Sequence, residues 1–298
     1  MKRIIATLLF FIAISLGFNA KAGSDGPPCT NTGSSTTDRI DLSGGNCMTT
    51  PDVYKIAIYE VGLCNNIDPT NPTTLPATDS SCTKLFYSPT PVYTEITNSL
   101  DGANLSGGTI TMPSVGSYNF AYIKIANTIS TKLTKYLSNP SPAYGDNNGS
   151  GSICWTIDSS YQNHTDHVTV DCGSNPAPDF VNRIMTNFEC GNGPYYCNTG
   201  TQSGGATTYQ VMFYVTNNGT LPTYSGTWDS GHMDVNTLSA TNQIYAFFAL
   251  DTPINVTANT STANILFLVS NSVKIKERYG TSIIEIKNAP FGIKFSVN

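Results

Sequence analysis

Val53-Tyr-Lys-Ile-Ala-Ile-Tyr-Glu-Val61 decides the fold class. β-branched and aromatic residues dominate this stretch, and apolar side chains fall on both of its alternating faces, the pattern of a strand covered from two sides. Runs of similar character follow at 92–97, 109–112, 118–126 and 129–137, with turn signals at Asp101-Gly102 and Gly107-Gly108. A second series lies at 152–157, 167–171, 208–216, 243–250, 264–269, 273–277, 282–287 and 291–297. Many short strands with turns between them predict an all-β, antiparallel sandwich. One short helix is expected at 179–188, where Asp179 stands in a capping position after Pro178 and Phe180, Ile184 and Phe188 recur at helical spacing.

Upstream of the first strand, Lys2 and Arg3 precede an apolar run from Ile4 to Phe18 and then Ala20-Lys21-Ala22. The run is shorter than the roughly 20 residues of a membrane span, so residues 1–22 read as a cleaved export signal. No later stretch reaches spanning length, and no transmembrane segment is expected after cleavage. Residues 23–52, rich in Gly, Ser, Thr and Pro, read as an extended polar arm. A first β region is expected at 53–137, a soft linker at 138–151, and a second β region at 152–298 that either stands alone or continues the same sandwich.

Charged residues are only 12% of the chain, against about 25% in ordinary soluble domains. Hydrophobic residues reach 39% and aromatic ones 10%, too apolar for a chain that stays unfolded. A net charge of −5 without a Lys or Arg cluster argues against a nucleic-acid partner. Eight cysteines in an exported chain read as disulfides. The first three successive pairs share one spacing, which favours Cys29–Cys47, Cys64–Cys82, Cys154–Cys172 and, over a shorter loop, Cys190–Cys197.

Part of the C-terminal half resembles known proteins. Leu250-Asp-Thr-Pro253-Ile254-Asn-Val256, a Thr/Asn turn and Ile265-Leu-Phe-Leu-Val269 are similar to a strand pair in Greek-key sandwiches of uncharacterised secreted bacterial proteins. Tyr54-Lys-Ile-Ala-Ile58 with Cys64, and Gly116-Ser-Tyr118, are similar in style to the same group. The resemblance implies a Greek-key-like β-sandwich and an exported location, and transfers no site residue.

Candidate chemistry is sparse. The three histidines are His164, His167 and His232, and neither a Gly-x-Ser-x-Gly turn nor a His-Glu-x-x-His pair occurs. His164-Thr-Asp166-His167 offers zinc an incomplete ligand set, which His232 and Asp234 complete only if the fold gathers them. Asp146, Asn148 and Ser150, followed by Gly151, match the opening of a calcium loop, but Ile157 stands where its bidentate Glu belongs. A flexible turn uses the same residues. Trp155, Trp228, Tyr195 and Tyr196 are the aromatic candidates for a contact surface; Trp155 suits packing on a disulfide, and Tyr195-Tyr196 lies inside the short Cys190 to Cys197 loop.

These features predict no catalytic role and no cofactor. They predict an exported protein, extracellular or at the cell surface with the periplasm as an alternative, that is structural or adhesive. A carbohydrate- or ligand-binding module is the second reading and an unrecognised hydrolase the third. The arm at 23–50 and the terminal strand at 291–297 are the expected partners in self-assembly or in cell-surface or glycan contact, the latter because a terminal strand is often an unpaired sheet edge.

Overall fold

The computed structural model describes residues 27–30, 39–40, 42, 45–66, 79–97, 100–102, 105, 107–143, 149–158, 167–168, 170–184, 196–198, 211–216, 242–277, 284–288 and 291–297. These hold twenty strands and, among the described residues, no helix. The strands build two layers, each in two parts.

The larger part of the first layer is a nine-stranded sheet. Its centre is β3 (Val53–Cys64), flanked on one side by β4 (Cys82–Ile96) and on the other by β7 (Gly116–Ala126) and then β8 (Thr128–Lys132). β6 (Thr109–Ile110) borders β4, and β13 (Val181–Ile184) borders β8. β16 (Gln243–Val256), β15 (Val211–Thr216) and β14 (Tyr196–Asn198) extend the sheet beyond β7. At Leu133 the chain leaves β8 for β9 (Thr134–Pro142), which opens the layer's other part with β1 (Arg39–Ile40), β10 (Ser150–Thr156) and β12 (Val170–Gly173). All these pairings are antiparallel except β1 on β9.

The second layer is dominated by the C-terminal residues. β17 (Ala263–Leu268) pairs β20 (Gly292–Val297), and β18 (Val273–Glu277) pairs β19 (Ile284–Asn288), so the two pairs are halves of one long antiparallel ribbon. A turn interrupts it: Ser272 donates its backbone N–H to the Val269 carbonyl, and Asn271 adopts φ 55°, a left-handed conformation that Asn tolerates better than most residues. β5 (Leu100–Gly102) lies beside β17, β2 (Asn46–Thr49) beside β18, and β11 (His167–Val168) beside β19.

Two larger apolar cores fill the space between the layers, and among the described residues a smaller cluster joins Leu63, Leu85, Tyr118, Ala121, Ile254 and Val256. Tyr54, Ile56, Ile58, Val61, Ile123, Ile125 and Ile244 of the nine-stranded sheet pack with Phe267 and Val269, joined by Phe291 and Phe295. Ile40, Leu137, Cys154 and Val170 pack with Cys47, Val273, Ile275, Ile284 and Ile286 in the second. Burial of this apolar surface is the main force holding the layers together.

Among the described residues three disulfides are present, Cys29–Cys47, Cys64–Cys82 and Cys154–Cys172, each with a sequence separation of 18. Cys64 faces Cys82 across β3 and β4, and Cys154 faces Cys172 across β10 and β12. The chain is thus an all-β, disulfide-stapled, sandwich-like protein, and its disulfides fit an exported, oxidising setting. Cys190 lies outside the described residues.

Several expectations change. The helix at 179–188 is overturned where it is described: Val181–Ile184 is a strand whose residues pair with β8. Phe180, Asn182 and Ile184 fit period two as well as Phe180 and Ile184 fit helical spacing. Asp179 settles the choice, because its N–H bonds the Thr156 carbonyl and its own carbonyl accepts the Thr156 hydroxyl, fixing the chain beside the sheet. The polar arm supplies β1 and β2, and Ile40, Leu42 and Met48 are buried there. The linker at 138–151 is partly ladder, since Ser150 opposes Pro142 and Gly151 opposes Ser141. Because β16, from the second β region, pairs β7 of the first, the two regions share one sheet. The run expected at 167–171 divides: from Val170 it pairs β10, while His167–Val168 crosses to the other layer.

The Tyr122 ring packs against Gly62, and a Cβ at that position would collide with the ring and with the Thr83 carbonyl. Gly62→Ala is therefore expected to cost about 1–3 kcal/mol, as overpacking does. Equilibrium unfolding in urea checks this, and an unchanged midpoint would mean that the ring swings aside freely.

Candidate contact surface

The face of the nine-stranded sheet turned away from the first core carries charge and aromatic rings together. Val61 points into that core, so Glu60 points out, next to a register shift between Ile58 and Glu60. Across four neighbouring strands Tyr87, Glu60, Lys124 and Tyr245 stand directly opposite one another. Glu60 is 2% exposed, and its Oε1 lies 3.6 Å from Lys84 Nζ and 3.7 Å from Lys124 Nζ. The lysines also sit over rings, Lys124 at 5.3 Å from the Tyr245 centroid and 5.5 Å from that of Tyr59, Lys84 at 4.8 Å from that of Tyr87. Such cation–ring contacts strengthen where water is excluded.

Burial governs the ionisation of this face. It pushes the Lys124 ammonium below the ordinary lysine value, with Glu60 opposing that shift. It holds the Tyr122 and Tyr245 hydroxyls far above the ordinary tyrosine value, the Glu60 charge adding to the effect, and does the same to Tyr54 inside the first core. A raised folded-state value means that the unfolded chain loses these protons first. The stability tied to them is intact below about pH 10 and falls above it, by roughly 1.4 kcal/mol per pH unit for each tyrosine. Alkaline unfolding followed by tyrosinate absorbance is expected to coincide with loss of structure, and Tyr54→Phe to shift its midpoint upward. Ionisation of these tyrosines ahead of unfolding would contradict the assignment.

The same sheet ends in an exposed apolar edge. Ile110, Val115 and Tyr93 are 71%, 69% and 67% exposed, and Tyr87 and Met112 are 41% each. They are the large exposed hydrophobic side chains among the described residues, and all belong to β4 or to the segment 107–115 beside it. That segment is held from within: the Phe86 ring packs on Gly108, the Thr111 N–H donates to the Leu85 carbonyl at 2.9 Å, and the Tyr118 hydroxyl donates to the Ser114 carbonyl at 2.8 Å. Further along β4, Lys55 pairs with Glu95 at 3.2 Å and reaches over the rings of Tyr93 and Phe180.

Of the described candidates, Tyr196 in β14 opposes Tyr214, which opposes Tyr245, so its position continues the row of Tyr87, Glu60, Lys124 and Tyr245. His167 in β11 opposes Lys287 and Ser150 in β10 opposes Pro142, both in other sheets. Trp155 is buried against Gly173, next in sequence to the Cys154–Cys172 bridge. Tyr195, Trp228, Asp146, Asn148, His164, Asp166, His232 and Asp234 fall outside the described residues. Among the described residues no group of three His, Cys, Asp or Glu side chains is placed to hold a metal ion, and no helix is long and apolar enough to cross a membrane. Of the strand expected at 109–112, Thr109–Ile110 forms one; its place at the edge was not legible because its neighbour β4 lies upstream of β5 in the chain.

No protein-family model matches the chain, and neither does a curated protein or a solved structure.

Proposed function

We propose that this chain is an exported structural or adhesive protein that acts by surface contact, with no catalytic role. The observation that supports the reading is that the large exposed hydrophobic side chains of the described residues, Tyr87, Tyr93, Ile110, Met112 and Val115, all lie on β4 or on the segment beside it, in a chain of low charge content. Large exposed apolar side chains concentrated at one sheet edge mark interaction sites. Stapling by disulfides and burial of the charged row suit a protein that must persist outside the cell. A carbohydrate-binding role is the second reading, favoured by Tyr93, an exposed ring with the Lys55–Glu95 pair beside it.

Adhesion of purified protein to cells and to a glycan array tests both. Surface binding lost in Ile110→Lys with no glycan preference supports the structural or adhesive reading. Saturable binding to one sugar, lost in Tyr93→Ala, supports the module. Binding to neither, with hydrolysis of a substrate panel, would overturn both.

A further inference from the structure

We propose that residues 109–112 pair with the same residues of a second copy of this chain, extending the nine-stranded sheet across a two-fold axis at Thr111. The inference rests on the surface-contact reading and names the partner.

The backbone decides which groups are free. Thr111 donates its N–H inward to Leu85, and β6 pairs with β4 through Ile110 opposite Phe86 and Thr109 opposite Tyr87. Successive peptide groups in an extended chain point to opposite sides. The N–H and C=O groups of Ile110 and Met112 therefore face away from β4, and no described residue pairs with them. Pro113, which has no N–H, ends the inward ladder directly after this segment.

An antiparallel copy centred on Thr111 sets Ile110 against the partner's Met112 and Met112 against the partner's Ile110. Those are the outward-facing residues, so each such pair exchanges two backbone hydrogen bonds, while Thr111 meets its own copy in the non-bonded position between them. The side-chain match is self-complementary: apolar against apolar, threonine against threonine. An isologous interface requires this of any segment that pairs with itself.

Charge selects the occupant. Exposed edges in soluble proteins commonly carry Lys or other charges that block pairing. Here no charged residue lies between Asp101 and Lys124. A copy carrying the same segment meets no like charge at the seam, although each chain has a net charge of −5.

The test uses the full exported chain and reads oligomeric state by light scattering across a concentration series, together with Thr111→Cys under mild oxidation. In non-bonded antiparallel pairs the facing Cα atoms lie about 4.5 Å apart, within the range of about 4.4–6.8 Å that a disulfide spans. The expected results are a concentration-dependent dimer, a peptide cross-linked through position 111 to itself in Thr111→Cys, and at least a tenfold loss of association in Ile110→Lys. Circular dichroism matching the parent shows that Ile110→Lys still folds. A strictly monomeric parent, or a dimer that forms no cross-link at 111 and survives Ile110→Lys, overturns the inference. A monomer that adheres to surfaces through this edge defeats the self-pairing while leaving the adhesive reading in place, and a dimer that adheres to nothing does the reverse.

Discussion

Treated with a thiol reductant under otherwise native conditions, the protein is expected to lose its cooperative thermal transition. Each described bridge closes a loop with a sequence separation of 18, and in the chain-entropy model a loop of that length contributes about 3 kcal/mol. Three such contributions, if additive, match most of the roughly 5–15 kcal/mol that holds a domain folded. Replacing one pair at a time separates them. The Cys154→Ser/Cys172→Ser chain is expected to lose about 3 kcal/mol or more, because both cysteines are buried in the second core and the hydroxyls would sit among Val170, Ile275 and Ile284. Urea unfolding of the three paired variants is the measurement. A loss below 1 kcal/mol in all three would show that burial alone secures the sandwich.

Removal of the Glu60 carboxylate should have the next largest effect. Glu60→Ala leaves Lys124, 12% exposed, and the more exposed Lys84 without their acidic partner. Breaking a buried pair from one side typically costs about 3–5 kcal/mol, because the remaining charge is neither solvated nor paired. The sign of the pH dependence follows from Lys124. Its folded-state value already lies below the unfolded one through burial, and losing Glu60 lowers it further. The unfolded chain then binds the proton more tightly, so the variant gains stability as pH rises toward the ordinary lysine value and its deficit is largest near neutrality. Replacing Glu60, Lys84 and Lys124 together by apolar residues of similar size should recover most of the loss. A Glu60→Ala deficit that is small and flat with pH would mean that the lysine heads reach solvent.

The central strand and the three described disulfides were legible because their signals are local. In Val53–Val61 the β-branched and aromatic run leaves few other structures open, and the equal cysteine spacings mirror neighbouring pairs on adjacent strands. Phe291–Val297 was readable as an edge, and among the described residues β20 pairs only β17. What escaped depends on partners distant in sequence. The charged row is one example, since Glu60 looks like the polar position of an alternating strand and nothing near it announces Lys84 or Lys124. Its burial arises from a register shift in the ladder and from neighbours on other strands. The strand at 181–184 is another, chosen over a helix by Thr156, whose hydroxyl and carbonyl both bond Asp179. The arm at 23–52 reads as extended and polar, yet Ile40, Leu42 and Met48 are buried once β9 and β18 receive its strands.

The interrupted ribbon of residues 263–297 governs when the molecule can close. The two larger cores depend on it: Phe267 and Val269 seal one, Val273, Ile275, Ile284 and Ile286 the other. Until that ribbon has been made, the opposite layer consists, among the described residues, only of the short β2, β5 and β11, so a chain emerging from its N-terminal end has a half-built sandwich. Pairings such as Thr49 with Val273 and Met48 with Lys274 join segments more than two hundred residues apart, and contacts of that range slow folding while unpaired strands stay exposed. A chain cut before residue 263 is consequently expected to keep its strand-forming sequences but to lack most of the layer that covers them.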